Sequence, residues 1–110
     1  MMEDISYYAT ITENRGEFID FLTWFPLTCM DYPNEKVNEQ NLDVYYEHML
    51  KCVDRFVKDA RAGVVMKDKI NQSWSFMRTG DRHNAIRIIQ QAGWVIECPD
   101  QVEELRQRDH

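Results

Sequence analysis

NEQNLDVYYEHMLKCVDRFVKDAR, residues 38–61, is the stretch whose reading decides the fold. Leu42, Tyr45, Tyr46, Met49, Leu50, Val53, Phe56, Val57 and Ala60 recur at three- and four-residue spacing for more than four turns. That spacing lays one apolar stripe along a helix and predicts a long central core helix over 38–61. Asn38 or Asn41 offers a side-chain cap at its start, and Gly63 offers a stop just past its end.

Shorter elements are expected on both sides of it. Asn14 followed by Glu17 is a capping pattern, and Phe18, Phe21, Leu22 and Phe25 then share a helical face that Pro26 is expected to end. Ile19 and Trp24 flank that face on opposite sides, so the apolar arc is wide enough either for central burial or for an interface on one flank. Downstream, Ile70, Trp74 and Met77 mark a third helix running to Gly80. Asp81 caps a fourth that turns Ala85, Ile86, Ile89 and Ala92 inward and stops at Gly93. Asp100 with Glu103 suits a short last helix.

Ile5, Tyr7, Ala9 and Ile11 alternate as in a strand, although Ile5, Tyr8 and Ile11 also fit a helix. Trp94–Cys98 is a second β-prone run, and a pairing of 5–11 with 94–98 is the one small sheet the sequence allows. The expected fold is therefore mainly α: a single-domain bundle of four to five helices around the 38–61 helix, with that short pairing added. Residues 1–110 are read as one domain, with flexible ends at 1–4 and 106–110.

Glu13-Asn14-Arg15-Gly16-Glu17-Phe18-Ile19-Asp20-Phe21-Leu22 resembles a stretch of the small phage anti-sigma proteins. The likeness covers ten residues at a helix start and carries no function or site residue to this chain.

The 110 residues hold 44% hydrophobic and 29% charged side chains, a globular balance. No apolar run approaches the roughly 20 residues of a membrane span, and the acidic start Met1-Met2-Glu3-Asp4 lacks the basic stretch of a secretory signal. Cys29, Cys52 and Cys98 are odd in number and widely spaced, which is the pattern of reduced thiols. A cytoplasmic location is expected.

The net charge of −6 conceals a segregation. Residues 1–50 carry two bases against ten acids, residues 51–87 nine against four, and residues 88–110 two against five. Such blocks suit either opposing surfaces within one fold or contact with a charged partner.

Catalytic and cofactor motifs are missing from this pattern. The four glycines are dispersed, whereas a phosphate cradle needs them bunched at a helix start. His48 and Cys52 stand four apart on the long helix, but a small thiol at the edge of the apolar face explains Cys52 without a metal. The expectation is no enzyme, no cofactor and no metal.

Two acidic rows remain, Glu13, Glu17 and Asp20 on one helix and Glu39, Asp43 and Glu47 on another. With Trp24 they are the candidate contacts for a host or cognate protein. The simpler account is that acids at helix starts, with bases such as Lys58 and Arg61 at their ends, complement the helix dipole. The basic block offers a different surface. Residues 67–93 have the outline of a helix-turn-helix, with Arg78, Arg82, His83 and Arg87 as candidate nucleic-acid contacts. Phe76 occupies a position where that motif needs a small residue, and the overall charge opposes approach to phosphates.

The sequence thus points to a small acidic protein-binding regulator or inhibitor that docks on a larger host protein or nucleic-acid-processing machine. Mobile elements encode such proteins, and some of them imitate nucleic-acid charge. A second copy of the chain is a further possible partner, direct nucleic-acid binding is the alternative, and no membrane contact is expected.

Overall fold

In the computed structural model, residues 12–97 are described, and all of their regular structure is helical. Helix α1 spans Arg15–Thr28 and runs into a 3-10 turn at Cys29–Asp31. A loop leads to α2, Leu42–Phe56, followed by α3, Ala60–Arg78, and α4, Arg82–Glu97.

Helix α1 starts on the expected cap. The Asn14 side chain accepts from the Glu17 amide at 2.9 Å, while a Glu17 carboxylate oxygen accepts from the Glu13 amide at 3.0 Å. Its end departs from expectation, because Pro26 lies inside the helix and two more residues follow it. Proline removes the amide that would have reached the carbonyl four residues back. The last turn closes instead through the Cys29 amide on Phe25 and Leu27 and through the Thr28 hydroxyl on the Trp24 carbonyl. Phe18, Phe21 and Phe25 are fully buried and set the aromatic core. Phe25 meets Tyr46 edge-on at 5.4 Å, and Phe21 meets Tyr45 at 6.2 Å. Ile19 and Trp24 are half-buried against this core, so the wide apolar arc is spent mostly within the fold.

The central helix is present, but its bounds are shorter than the expected 38–61. Residues 38–61 are a loop end, a fifteen-residue helix, a three-residue break and the start of another helix. Val57 leaves helical geometry at ψ 106°, and Asp59 caps α3 by accepting from the Ala62 amide at 2.9 Å. Aspartate outside a helix satisfies an end amide that has no partner in the chain, which a run of apolar spacing cannot reveal. Ala60 is exposed rather than core, and Gly63 sits inside α3, not at a helix end. Arg61 consequently falls in a first turn, where its charge opposes the dipole it was expected to complement.

The loop before α2 is knit by asparagines. Asn34 donates to the Thr28 carbonyl and accepts from the Lys36 and Val37 amides. Asn41 accepts from the Asn38 amide and donates to the Lys36 carbonyl, and buried Val37 anchors the loop to the core. Asn38 and Asn41 thus close the loop, and the helix begins at Leu42.

The α3–α4 pair packs along its length. Lys69, nine residues before the end of α3, donates to the Gln91 side chain, nine residues into α4, at 2.9 Å. Both points lie about 13 Å from the turn, and helices splayed near 90° would hold them roughly 19 Å apart. The pair is an antiparallel hairpin, not the crossed arrangement of a helix-turn-helix. Helix α4 continues through Gly93 to Glu97, which overturns the strand expected at 94–98 over its described part. Gly93 serves as a point of close packing: a Cβ there would lie 3.8 Å from the Leu22 Cβ. Its neighbour Val95 is fully buried, as a continuing helical face requires. The partner segment 5–11, Cys98 and the helix expected after Asp100 lie outside the described residues.

Candidate functional site

The turn between α3 and α4 is built by local chemistry. Gly80 adopts φ +85°, its amide reaches the Met77 carbonyl, and the Asp81 amide reaches Phe76. This left-handed closure satisfies the last carbonyls of α3 and favours glycine because a side chain there would crowd the backbone. Asp81 then caps α4, one carboxylate oxygen accepting from the Asn84 amide at 3.3 Å and the other from its side-chain amide at 2.7 Å. These hydrogen bonds from Asn84, side chain first, hold the Asp81 carboxyl below the usual carboxylate range.

Opposite the turn lies the asparagine-knit loop, and between them is a cleft of about 750 Å³. Leu42 and Met77, both nearly buried, line it, with Tyr32 and Glu39 from the loop and Arg78, Arg82 and His83 from the hairpin. Arg82 ties the two sides by donating to the Tyr32 carbonyl at 3.2 Å. Burial first, then the Glu39 carboxylate, pushes the Tyr32 hydroxyl up from its ordinary range.

The cleft brings together residues from two separate expectations. Glu39 came from an acidic row, and Arg78, Arg82 and His83 from the basic surface. Arg87 is exposed one turn further along α4, with two guanidinium nitrogens 3.4 Å from the Asn84 side-chain oxygen. Other candidates are dispersed. Glu13 is exposed just before α1, Asp20 is exposed and Trp24 half-buried on it, and Glu47 is exposed on α2. Glu17 belongs to the α1 cap.

Asp43 also has work within the fold. Its carboxylate accepts from the Trp74 indole at 2.8 Å and from Arg78 at 3.2 Å. Arg78 lies 4.2 Å above the Trp74 ring, and Trp74 stacks on Tyr46 at 5.5 Å with the planes 5° apart. The three side chains form a column that fixes where Arg78 presents its charge. Four-residue spacing on α3 hinted at Trp74 and Arg78 as neighbours, but nothing in sequence joined them to Tyr46 or Asp43 on another helix.

Two further polar groups went unnoticed because they occupy apolar positions. Lys69 is 1% exposed on the inner stripe of α3. Ser73, also buried, donates to the Ala85 carbonyl at 2.7 Å and stands 2.7 Å from the Tyr46 hydroxyl. Its single proton is spent on Ala85, so Tyr46 is the donor in the second bond.

Nucleophile chemistry finds little support. Cys29 and Cys52 are fully buried, and burial pushes their thiols up to about 12 and about 11. A reactive thiol needs the opposite shift. His48 Nε2 lies 3.5 Å from Cys52 Sγ, and no group of three or more metal-ligating side chains occurs among the described residues. No helix of the described residues is long and apolar enough to cross a membrane.

Comparison supplies no relative. No protein-family model matches the chain, and no curated protein or solved structure matches it either.

Proposed function

We propose that this chain is a non-catalytic protein-binding regulator or inhibitor that docks on a larger protein or nucleic-acid-processing machine. The observation that carries the reading is the cleft at the α3–α4 turn. Its apolar floor of Leu42 and Met77, ringed by Tyr32, Glu39, Arg78 and Arg82, has the core-and-rim anatomy of a protein contact. The raised thiols weigh against nucleophilic chemistry. Because Asp43 and Glu17 are engaged within the fold, an acidic docking row would rest on Glu39 and Glu47 of α2 and its leading loop and on Glu13 and Asp20 around α1.

Affinity capture from the source cell, at two salt concentrations and with nuclease, tests the reading. Protein docking requires a partner that survives nuclease and is lost on reversing Glu39 and Glu47 to Lys, or Arg82 to Glu. Recovery only through nucleic acid, with binding that falls steeply as salt rises, would overturn it in favour of a nucleic-acid-binding surface on α4.

A further inference from the structure

We propose that residues 99–105 of this chain dock on the face of α3 formed by Arg61, Val64, Val65, Asp68 and Lys69. The contact is one of the chain with itself, and it stands whether or not a partner binds the cleft at the α3–α4 turn.

That face lines a second cavity, of about 350 Å³. Its five residues recur at three- and four-residue spacing, so they form one stripe along the first half of α3. Among the described residues only α3 lines it, and one helix, being convex, supplies one wall at most. Val65 is buried at its floor, while Val64 at the rim is 70% exposed. The end of α4 points to what covers it. Lys69 and Gln91 stand level in the α3–α4 hairpin. Arg61 lies eight residues before Lys69, and the described part of α4 ends six residues after Gln91, at Glu97. The chain therefore leaves α4 about 3 Å short of the level of Arg61, at one end of the stripe. Pro99 follows two residues later, and a helix usually ends at or before the residue preceding a proline. As a helix, residues 100–105 would be about 9 Å long, against about 12 Å from Arg61 to Lys69. Val102 and Leu105 are three apart and so would share a face that can meet Val64 and Val65. The charges agree: the stripe holds two cations and one acid, and residues 100–106 hold three acids and one base. A segment tethered this close has an effective concentration on the order of a millimolar, so a small apolar contact suffices where a separate molecule would need a larger one. Residues 1–11 join the described chain elsewhere. The Thr12 carbonyl accepts from Arg55 at 3.4 Å, and α2 meets α3 at Gly63 and Lys67, on a different side from Lys69.

NMR of the isotope-labelled full chain provides the test. Nuclear Overhauser contacts are expected from the Val102 and Leu105 methyls to those of Val64 and Val65. In a Val102→Ser/Leu105→Ser variant, amide exchange at residues 64–69 should quicken about tenfold, while exchange at residues 45–50 of α2 holds. Unchanged circular dichroism separates this effect from global unfolding, and the contacts in the unsubstituted chain decide the matter even if the variant is unstable. Absence of those contacts, or unchanged exchange in a folded variant, would overturn the proposal. So would contacts from Ile5 or Ile11 to Val64 and Val65 in their place. Contacts seen only between labelled and unlabelled copies in a mixed sample would overturn it too, because a second copy would then be the occupant.

Discussion

Ser73→Ala should destabilise the protein far more than the loss of one oxygen suggests. Ser73 and Tyr46 are both fully buried, and the hydroxyls form a directed chain from Tyr46 to Ser73 to the Ala85 carbonyl. Removing the serine hydroxyl loses the bond to Ala85, worth about 1 kcal/mol net. It also leaves the Tyr46 hydroxyl buried without its acceptor, at a further cost of about 1–3 kcal/mol. The expected total is about 2–4 kcal/mol. Tyr46→Phe alone should cost about 0.5–1.5 kcal/mol, since Ser73 keeps its bond to Ala85. In the double variant no orphaned hydroxyl remains, so the two losses should fall short of their sum by about 1–2 kcal/mol. Urea unfolding of the four proteins, with unchanged m values, measures this coupling. Losses that add to within about 0.3 kcal/mol would show that the two hydroxyls do not share a bond, and would refute the argument.

Two glycines should respond with opposite signs. Gly93→Ala should stabilise by about 0.5–1 kcal/mol, because the new methyl meets Leu22 at an ordinary distance within a helix, whereas Gly80→Ala should cost about 1–2 kcal/mol at its positive φ. Thermal unfolding of the pair checks this, and matching signs would contradict it. Asp43→Ala should cost about 0.5–1 kcal/mol and alter Trp74 fluorescence, while Glu47→Ala changes stability by less than about 0.5 kcal/mol. Identical behaviour of the two would dissolve the distinction between them. In alkali the unfolded thiols ionise from near pH 9, while folded Cys29 holds its proton until about 12. Its raised value therefore leaves stability intact below pH 9 and erodes it above, by about 1.4 kcal/mol at pH 10. Urea midpoints at pH 7 and pH 10 should show the loss, and Cys29→Ala should diminish it.

Periodicity made the helical character of the chain legible, along with the aromatic face of Phe18, Phe21 and Phe25. Caps were readable where their partners are local, as at Asn14 with Glu17 and at Asp81 with Asn84. Asp59 was hidden because the same apolar spacing continues through the break, and α3 simply reuses the stripe from a new start. Trp94 and Val95 favour strands by side-chain type, yet packing of α4 on α1 overrides that preference. The cleft was legible only in pieces. Glu39 and Arg82 are 43 residues apart in sequence, and the loop that brings them to one cavity is held by asparagine bonds with no periodic signature.

The break at Val57–Asp59 settles how the apolar stripe is answered. Without it, Leu42–Arg78 would form a rod about 56 Å long, well beyond the molecule's greatest extent of 36 Å. Such a rod could not fold its α2 half back against its α3 half, and that contact would have to come from another chain. Exchange of helices between two copies is a low-cost route open to a chain whose hinge straightens in this way. Three residues, closed by one carboxylate on the Ala62 amide, direct the stripe inward, so that α2 and α3 become neighbours within one molecule. Asp59 thereby guards the boundary between self-recognition within a chain and recognition between chains.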